Sequence, residues 1–417
     1  HGINVRHVGR NRIRMELSEL TERDLASLKS AMRSLQADDG VNGYQAIASF
    51  HGLPASCHDD EGHEIACCIH GMPVFPHWHR LYTLQMDMAL LSHGSAVAIP
   101  YWDWTKPISK LPDLFTSPEY YDPWRDAVVN NPFAKGYIKS EDAYTVRDPQ
   151  DILYHLQDET GTSVLLDQTL LALEQTDFCD FEVQFEVVHN AIHYLVGGRQ
   201  VYALSSQHYA SYDPAFFIHH SFVDKIWAVW QALQKKRKRP YHKADCALNM
   251  MTKPMRPFAH DFNHNGFTKM HAVPNTLFDF QDLFYTYDNL EIAGMNVNQL
   301  EAEINRRKSQ TRVFAGFLLH GIGRSADVRF WICKTADDCH ASGMIFILGG
   351  SKEMHWAYDR NFKYDITQAL KAQSIHPEDV FDTDAPFFIK VEVHGVNKTA
   401  LPSSAIPAPT IIYSAGE

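Results

Sequence analysis

Glu186-Val187-Val188-His189-Asn190-Ala191-Ile192-His193-Tyr194-Leu195 is an apolar segment carrying two histidines four residues apart. Read as a helix from about Phe181 to Leu195, stopped at Gly197-Gly198, it sets His189 and His193 on one face, where both imidazoles reach a single ion. Val187, Val188, Ile192 and Leu195 keep the surroundings apolar. Two core histidines would satisfy the same pattern, so the reading needs a second element. That element is Asp213-Pro214-Ala215-Phe216-Phe217-Ile218-His219-His220-Ser221-Phe222-Val223-Asp224-Lys225-Ile226-Trp227, a helix with proline in its first turn that runs to about Gln234. Neighbours on a helix point about 100° apart, so one of His219 and His220 is a ligand and the other its neighbour. Asp224, one turn beyond His220, is placed to reach a ring N–H or a nearby cation, as carboxylates behind metal-bound imidazoles commonly do.

A second group lies upstream. His51 closes the apolar run Tyr44–Phe50, His70 follows Cys67-Cys68-Ile69, and Phe75-Pro76-His77-Trp78-His79-Arg80-Leu81 opens a helix with Leu84, Met88 and Leu91 on its face. His77 and His79 compete as His219 and His220 do; His79, nearer the helical stretch, is the better candidate. Of the 24 histidines, His58, His63, His93, His260 and His264 sit in polar, loop-like stretches and read as surface residues or satisfied hydrogen-bonding partners. Two sets of three imidazoles with no carboxylate or thiolate suit copper, and imidazole also suits zinc. A catalytic zinc site supplies one cluster of three, and no HExxH occurs.

The chain has 417 residues, 45% of them hydrophobic and 12% aromatic, enough for a sizeable core and two domains. A charged content of 21% argues against disorder, and a formal charge of -12 against a general nucleic-acid role. The basic run Lys235–Arg239 reads as a solvated helix end. No stretch approaches the roughly 20 apolar residues of a membrane span. The start at His1, without initiator Met or signal peptide, suggests a unit excised from a longer precursor. Asn397-Lys398-Thr399 is a glycosylation sequon.

Residues 1–300 read mainly as helix and loop. Thr21 caps a helix with Asp24 three positions on, followed by Leu25, Leu28, Met32 and Leu35 at helical spacing; Leu111 to Gln150 reads as long loops. From about 310 the pattern turns to short β-type runs: Thr311–Leu319, Asp327–Cys333, Met344–Leu348 and Phe387–Val396. The expected class is α+β, with a mainly helical domain over 1–300, an antiparallel β-sandwich over 301–400 and a linker tail over 401–417. Seven cysteines leave at least one outside any set of disulfides, and no CxxC pair occurs. Cys333 and Cys339 flank a short polar loop and could close a ring in an extracellular, oxidising setting. Free buried thiols are the alternative.

These motifs together resemble the type-3 copper proteins and, most closely, a molluscan haemocyanin functional unit. His51, His70 and Phe75-Pro76-x-x-His79-Arg80 match the family's first copper motif. His189-Asn190-x-x-His193 and Asp213-Pro214-x-Phe216-x-x-His219-His220-x-x-x-Asp224 match the second. The resemblance covers nearly the whole chain. It implies a four-helix dicopper core in which one copper takes His51, His70 and His79 and the other His189, His193 and His220. It implies a thioether between Cys68 and the ring of His70, and disulfides Cys57–Cys67, Cys179–Cys246 and Cys333–Cys339. A vicinal Cys67–Cys68 disulfide is the alternative.

The implied function is reversible dioxygen transport. Two Cu(I) ions give one electron each to dioxygen, held between them as peroxide in an apolar shell that includes Phe75, Phe216 and Phe217. Leu348, before Gly349-Gly350, matches the leucine that the haemocyanin β domain pushes over the copper site. The implied setting is secreted, in haemolymph, beside other units of the same polypeptide and other subunits of a large assembly. Neither nucleic acid nor membrane is an expected partner. A phenol-oxidising tyrosinase or catechol oxidase shares the copper chemistry, so the six histidines and Asn190 do not separate it from the carrier; a latent o-diphenol oxidase activity is compatible with either.

Overall fold

The computed structural model describes residues 12–58, 62–156, 163–258, 272–319, 325–348, 360–381, 387–395 and 406–416. Asn397, His260, His264 and Gly349-Gly350 lie outside the described residues. The architecture is α+β. Thr21 and Asp24 form both arms of a capping box at the Glu22–Gln36 helix, whose buried face carries Leu28, Met32 and Leu35. The helices Phe75–Ser92, Phe178–Gly197 and Ala215–Lys236 pack on one another and carry the expected site, with the short helix Tyr44–Ser49 ending just before His51.

The Phe178–Gly197 helix begins three residues earlier than its apolar pattern, where the Asp177 side chain accepts from Cys179 N–H. From Phe181 onward every one of its residues is buried, the polar Glu182, Gln184, Glu186 and Asn190 among them. The reason is that it serves two cores. Phe185, Val188 and Ile192 join the large helical core, while Val183 and Val187, one turn apart, join the core of the sandwich. The two domains therefore share a helix rather than a linker.

The sandwich is two three-stranded antiparallel sheets. In one, Ala326–Thr335 lies between Asp338–Ile347 and Phe388–Gly395; in the other, Arg312–Leu319 lies between Arg360–Asp365 and Thr410–Ser414. Alternation sends Val328, Phe330 and Ile332 inward, with Ile345 and Val393 opposite Val328 on its two neighbours. Polar contacts join the sandwich to the helices: Arg360 with Glu182, Arg199 with Asp327 (2.7 Å) and Arg312 with Glu174 (2.7 Å).

Three expectations need correction. Leu111–Gln150 holds two small hairpins, Glu119–Asp122 with Ala127–Asn130 and Tyr137–Ile138 with Ala143–Tyr144, beside the short helix Asp113–Thr116. Their turns use Asp126 and Asp142 at positive φ, the left-handed conformation that short polar side chains tolerate. The tail 401–417 is not wholly a linker, because Thr410–Ser414 is an edge strand of the sandwich. The strand Arg360–Asp365 has no counterpart among the sequence-based runs; its alternation is short and charged.

Between the Phe75 and Ala215 helices lies a buried charge network. Asp224 accepts from Arg80 (2.5 Å), from Arg14 (3.1 Å) and from the hydroxyls of Tyr285 and Tyr287; Arg14 also meets Asp87 (3.2 Å). The cation that Asp224 reaches is thus a pair of guanidinium groups. Removing the carboxylate strands a buried positive charge, so Asp224→Ala should lower unfolding free energy by about 3–5 kcal/mol. Urea denaturation measures this; a loss below about 1 kcal/mol would show that the network is dispensable.

Candidate metal centre

Two groups of imidazoles converge in the helical core. His51, His70 and His79 bring ring nitrogens within 4.8 Å of one another, and so do His189, His193, His219 and His220. All seven are buried. The Nε2 atoms of His189, His193 and His220 lie 2.9, 3.1 and 3.3 Å apart. Three nitrogens about 2 Å from one ion lie roughly 3.3–3.5 Å apart, so this triangle is slightly contracted but of the right size.

The opposite ring nitrogens explain why Nε2 is available. His51 Nδ1–H donates to the carbonyl of Gln207 (2.9 Å), His79 to Phe75 (3.0 Å), His189 to Glu186 (3.2 Å) and His193 to Leu204 (2.8 Å). A carbonyl only accepts, so each neutral ring carries its proton on Nδ1 and turns a lone pair outward from Nε2. Nε2 of His51, His70 and His79 has no hydrogen-bond partner among the described residues. Buried polar atoms are costly in that condition, and a cation among the lone pairs relieves the cost. The donor set is nitrogen only, which fits copper.

The two ambiguous pairs separate on chemical grounds. Trp104 Nε1–H donates to Nδ1 of His219 (3.1 Å). An indole only donates, so neutral His219 carries its proton on Nε2 and cannot offer that nitrogen to a metal. Its ring instead stacks on His189 at 5.2 Å and 9°. His77 turns away into Phe178, Trp227 and Phe278. Of the histidines read as surface residues, His58 and His63 are exposed, and His93 bonds Asp38 (3.1 Å).

Both groups face each other across aromatic rings. His79 stacks on His220 at 4.6 Å and 12°, and His70 lies 6.0 Å from His189. Phe75 contacts His70, His79 and His189, and Phe216 contacts His51, His193 and His220. The structure joins Cys57–Cys67, Cys179–Cys246 and Cys333–Cys339. Cys68 belongs to none of the three and is buried, with the Gln207 amide 3.3 Å from its sulfur. Leu348 is buried. Its strand also reaches the histidine helix at Phe346, which sequence reading passed over: Asn190 Nδ2–H donates to the Phe346 carbonyl (3.1 Å), and the Phe346 ring stacks on Tyr194 at 4.6 Å. Gln207 was missed because its contacts mix main chain and side chain, which no residue pattern reveals.

Two groups of buried histidines within a helical domain, beside a sandwich, make a candidate metal centre. The chain matches the common central domain of tyrosinase over residues 41–233 and the haemocyanin β-sandwich over 307–415. It is 64% identical to Hemocyanin 1 of Megathura crenulata along its whole length, which is 12% of that protein. It is 44% identical to unit D of the Helix pomatia haemocyanin β-C chain, covering 97% of each. A functional unit of octopus haemocyanin superposes with TM-score 0.87 at 46% identity, covering 96% of this chain and 99% of that one. The chain belongs to the haemocyanin family, and it corresponds to one molluscan functional unit.

Burial holds these imidazoles neutral by excluding the water that would solvate a charge, with neighbouring rings adding to the effect at most of them. His51 is pushed down to about 3 and His193 to about 4, and His70, His79, His189 and His220 also lie well below the usual value. Folded values lie below unfolded ones, so the stability these groups confer is present above about pH 6.5 and is lost as pH falls through 4 toward 3. The urea midpoint of metal-free protein should therefore drop steadily between pH 7 and pH 4; a flat profile would contradict the burial of neutral rings.

Proposed function

We propose that this chain binds dioxygen reversibly at two copper ions, one held by His51, His70 and His79 and the other by His189, His193 and His220. In this reading it serves as an oxygen carrier in an extracellular fluid, as one unit of a longer chain within a larger assembly. The observation that carries the reading is the pair of facing Nε2 groups, each dry and with most of its Nδ1 protons already committed to carbonyls. Two cuprous ions bound there supply the two electrons that reversible dioxygen binding draws on.

The remaining work belongs to the chain. The carbonyls of Gln207, Phe75, Glu186 and Leu204 keep the rings oriented, Phe75 and Phe216 exclude water and protons, and Asp224 fixes Arg80 behind the ligand helices. Cys68 and His70 are joined by a thioether in this reading, Asn397 is the site at which a glycan would attach, and the helical part to about residue 300 is covered by the sandwich over 301–400. Leu348, at the end of the Asp338–Ile347 strand, shields the centre: dioxygen passes where a phenol ring does not. The match to a tyrosinase central domain supports a latent diphenol oxidase activity as the second reading.

Metal analysis should return two coppers per chain, with a near-ultraviolet absorption that appears under oxygen and disappears on its removal. One metal per chain, or a spectrum indifferent to oxygen, would refute the proposal. Leu348→Ala, at unchanged copper content, should raise catechol oxidation on the order of tenfold, equivalent to roughly 1.4 kcal/mol less barrier to entry. An unchanged rate in that variant removes Leu348 as the shield, while strong turnover by the intact chain makes the protein an oxidase.

A further inference from the structure

Gln207 meets two members of the first histidine group and Cys68 at once. Its main-chain carbonyl accepts from His51 Nδ1–H (2.9 Å), and its side-chain Nε2 lies 3.2 Å from His70 Nδ1 and donates to Cys68 Sγ at 3.3 Å. Gln207 is 3% exposed and Cys68 2%. The loop around it is tied down: Leu53 N–H donates to the His208 carbonyl (3.1 Å), and Tyr209 and Ala210 N–H both donate to the Ser206 carbonyl (3.0 and 2.7 Å). The main chain that carries the amide is therefore held where it stands.

A buried amide between a thiol and an imidazole has a chemical consequence. For His70 to offer Nε2 to a metal, its proton must sit on Nδ1, and that proton needs an acceptor. Turned by half a rotation about its last torsion, the Gln207 amide keeps its shape and presents its oxygen to both His70 Nδ1–H and Cys68 S–H. One oxygen accepting from both groups holds sulfur and ring side by side.

We propose that the Gln207 side chain is the positioning residue for covalent joining of Cys68 to His70. The inference rests on the reading that this thioether forms. In the joining step the S–H bond of Cys68 and one ring C–H bond of His70 are lost and one S–C bond is made. The two protons and two electrons released pass to dioxygen, the ligand of the proposed function, which leaves as hydrogen peroxide. Holding the two groups in contact replaces a chance encounter with a fixed one, and this is where the amide acts.

The test uses the full chain produced without copper, then given copper(I) and dioxygen. Linkage is followed by mass spectrometry of the reduced peptide bearing Cys68 and His70, which loses two hydrogens, and by loss of alkylation at Cys68. Wild type should link. Gln207→Leu should link about tenfold more slowly at equal copper loading, as expected for loss of an orienting hydrogen bond. Gln207→Glu keeps an acceptor oxygen at the same reach and should restore most of the rate, a rescue that a purely space-filling role would not give. If the leucine variant cannot be loaded, Gln207→Asn, which draws the amide back by one methylene, takes its place with the same expected slowing. Linkage at the wild-type rate in that variant would overturn the role of Gln207 and leave the thioether standing. A wild-type chain that never links would overturn the thioether, and this role with it.

Discussion

The ion pair between Arg80 and Asp224 governs the arrangement of the whole centre. Arg80 follows His79 in one helix, and Asp224 lies one turn beyond His220 in another. Their contact at 2.5 Å fixes how the two helices are rotated and slid against each other. The stacking of His79 on His220 at 12° follows from the same registration. Both charges are fully buried, and so is Arg14, which closes the network with Asp87, Tyr285 and Tyr287. Burying charge costs about as much as pairing returns, so the network contributes little to net stability. Its value is that any other registration leaves a guanidinium unpaired in the core, which makes the facing of the two histidine groups a unique solution rather than one of several.

Given that registration, the histidines are oriented by main-chain carbonyls. Carbonyl acceptors come from Phe75 and Glu186, in the ligand's own helix, and from Leu204 and Gln207, in the loop before the next. Such acceptors survive most side-chain changes, and they set the tautomer as well as the ring angle. The resulting site has its donors in place before any ion enters, so little reorganisation accompanies loading. Phe75 and Phe216 each touch both groups, which makes the apolar shell common to the two groups instead of separate for each.

How much of this is legible in sequence depends on whether a feature lives in periodicity. His189 and His193 are legible because the helix repeat puts them on one face, and the sandwich strands from Thr311 to Leu319 and from Asp327 to Cys333 are legible because they alternate or run apolar over several residues. The choices between His77 and His79 and between His219 and His220 are not settled by helix geometry. What decides them is the surroundings: an aromatic pocket for His77, the Trp104 indole for His219. The hairpins within Leu111–Gln150 escape because strands of two to four residues with exposed alternate positions leave almost no pattern. The Thr410–Ser414 strand escapes because the Pro-rich stretch before it reads as extended chain, although Thr410-Ile411-Ile412-Tyr413 is itself rich in β-branched residues.

The same ligand chemistry serves carriers and oxidases, so the distinction has to come from what covers the centre. Here the sandwich and the second histidine group are mechanically one piece. Asn190 sits between His189 and His193 in sequence, yet its amide donates to the carbonyl of Phe346 in the sandwich. Tyr194, next to His193, stacks on the Phe346 ring and donates through its hydroxyl to Asp327. Val183 and Val187, on the same helix, are part of the sandwich core. A helix that carries His189 and His193 and is also the domain interface cannot part from the sandwich without breaking contacts made by residues adjacent to those histidines. Parting the two domains would thus disturb the orientation of His189 and His193. The buried helix shared by two cores is the physical form of the join between the domains.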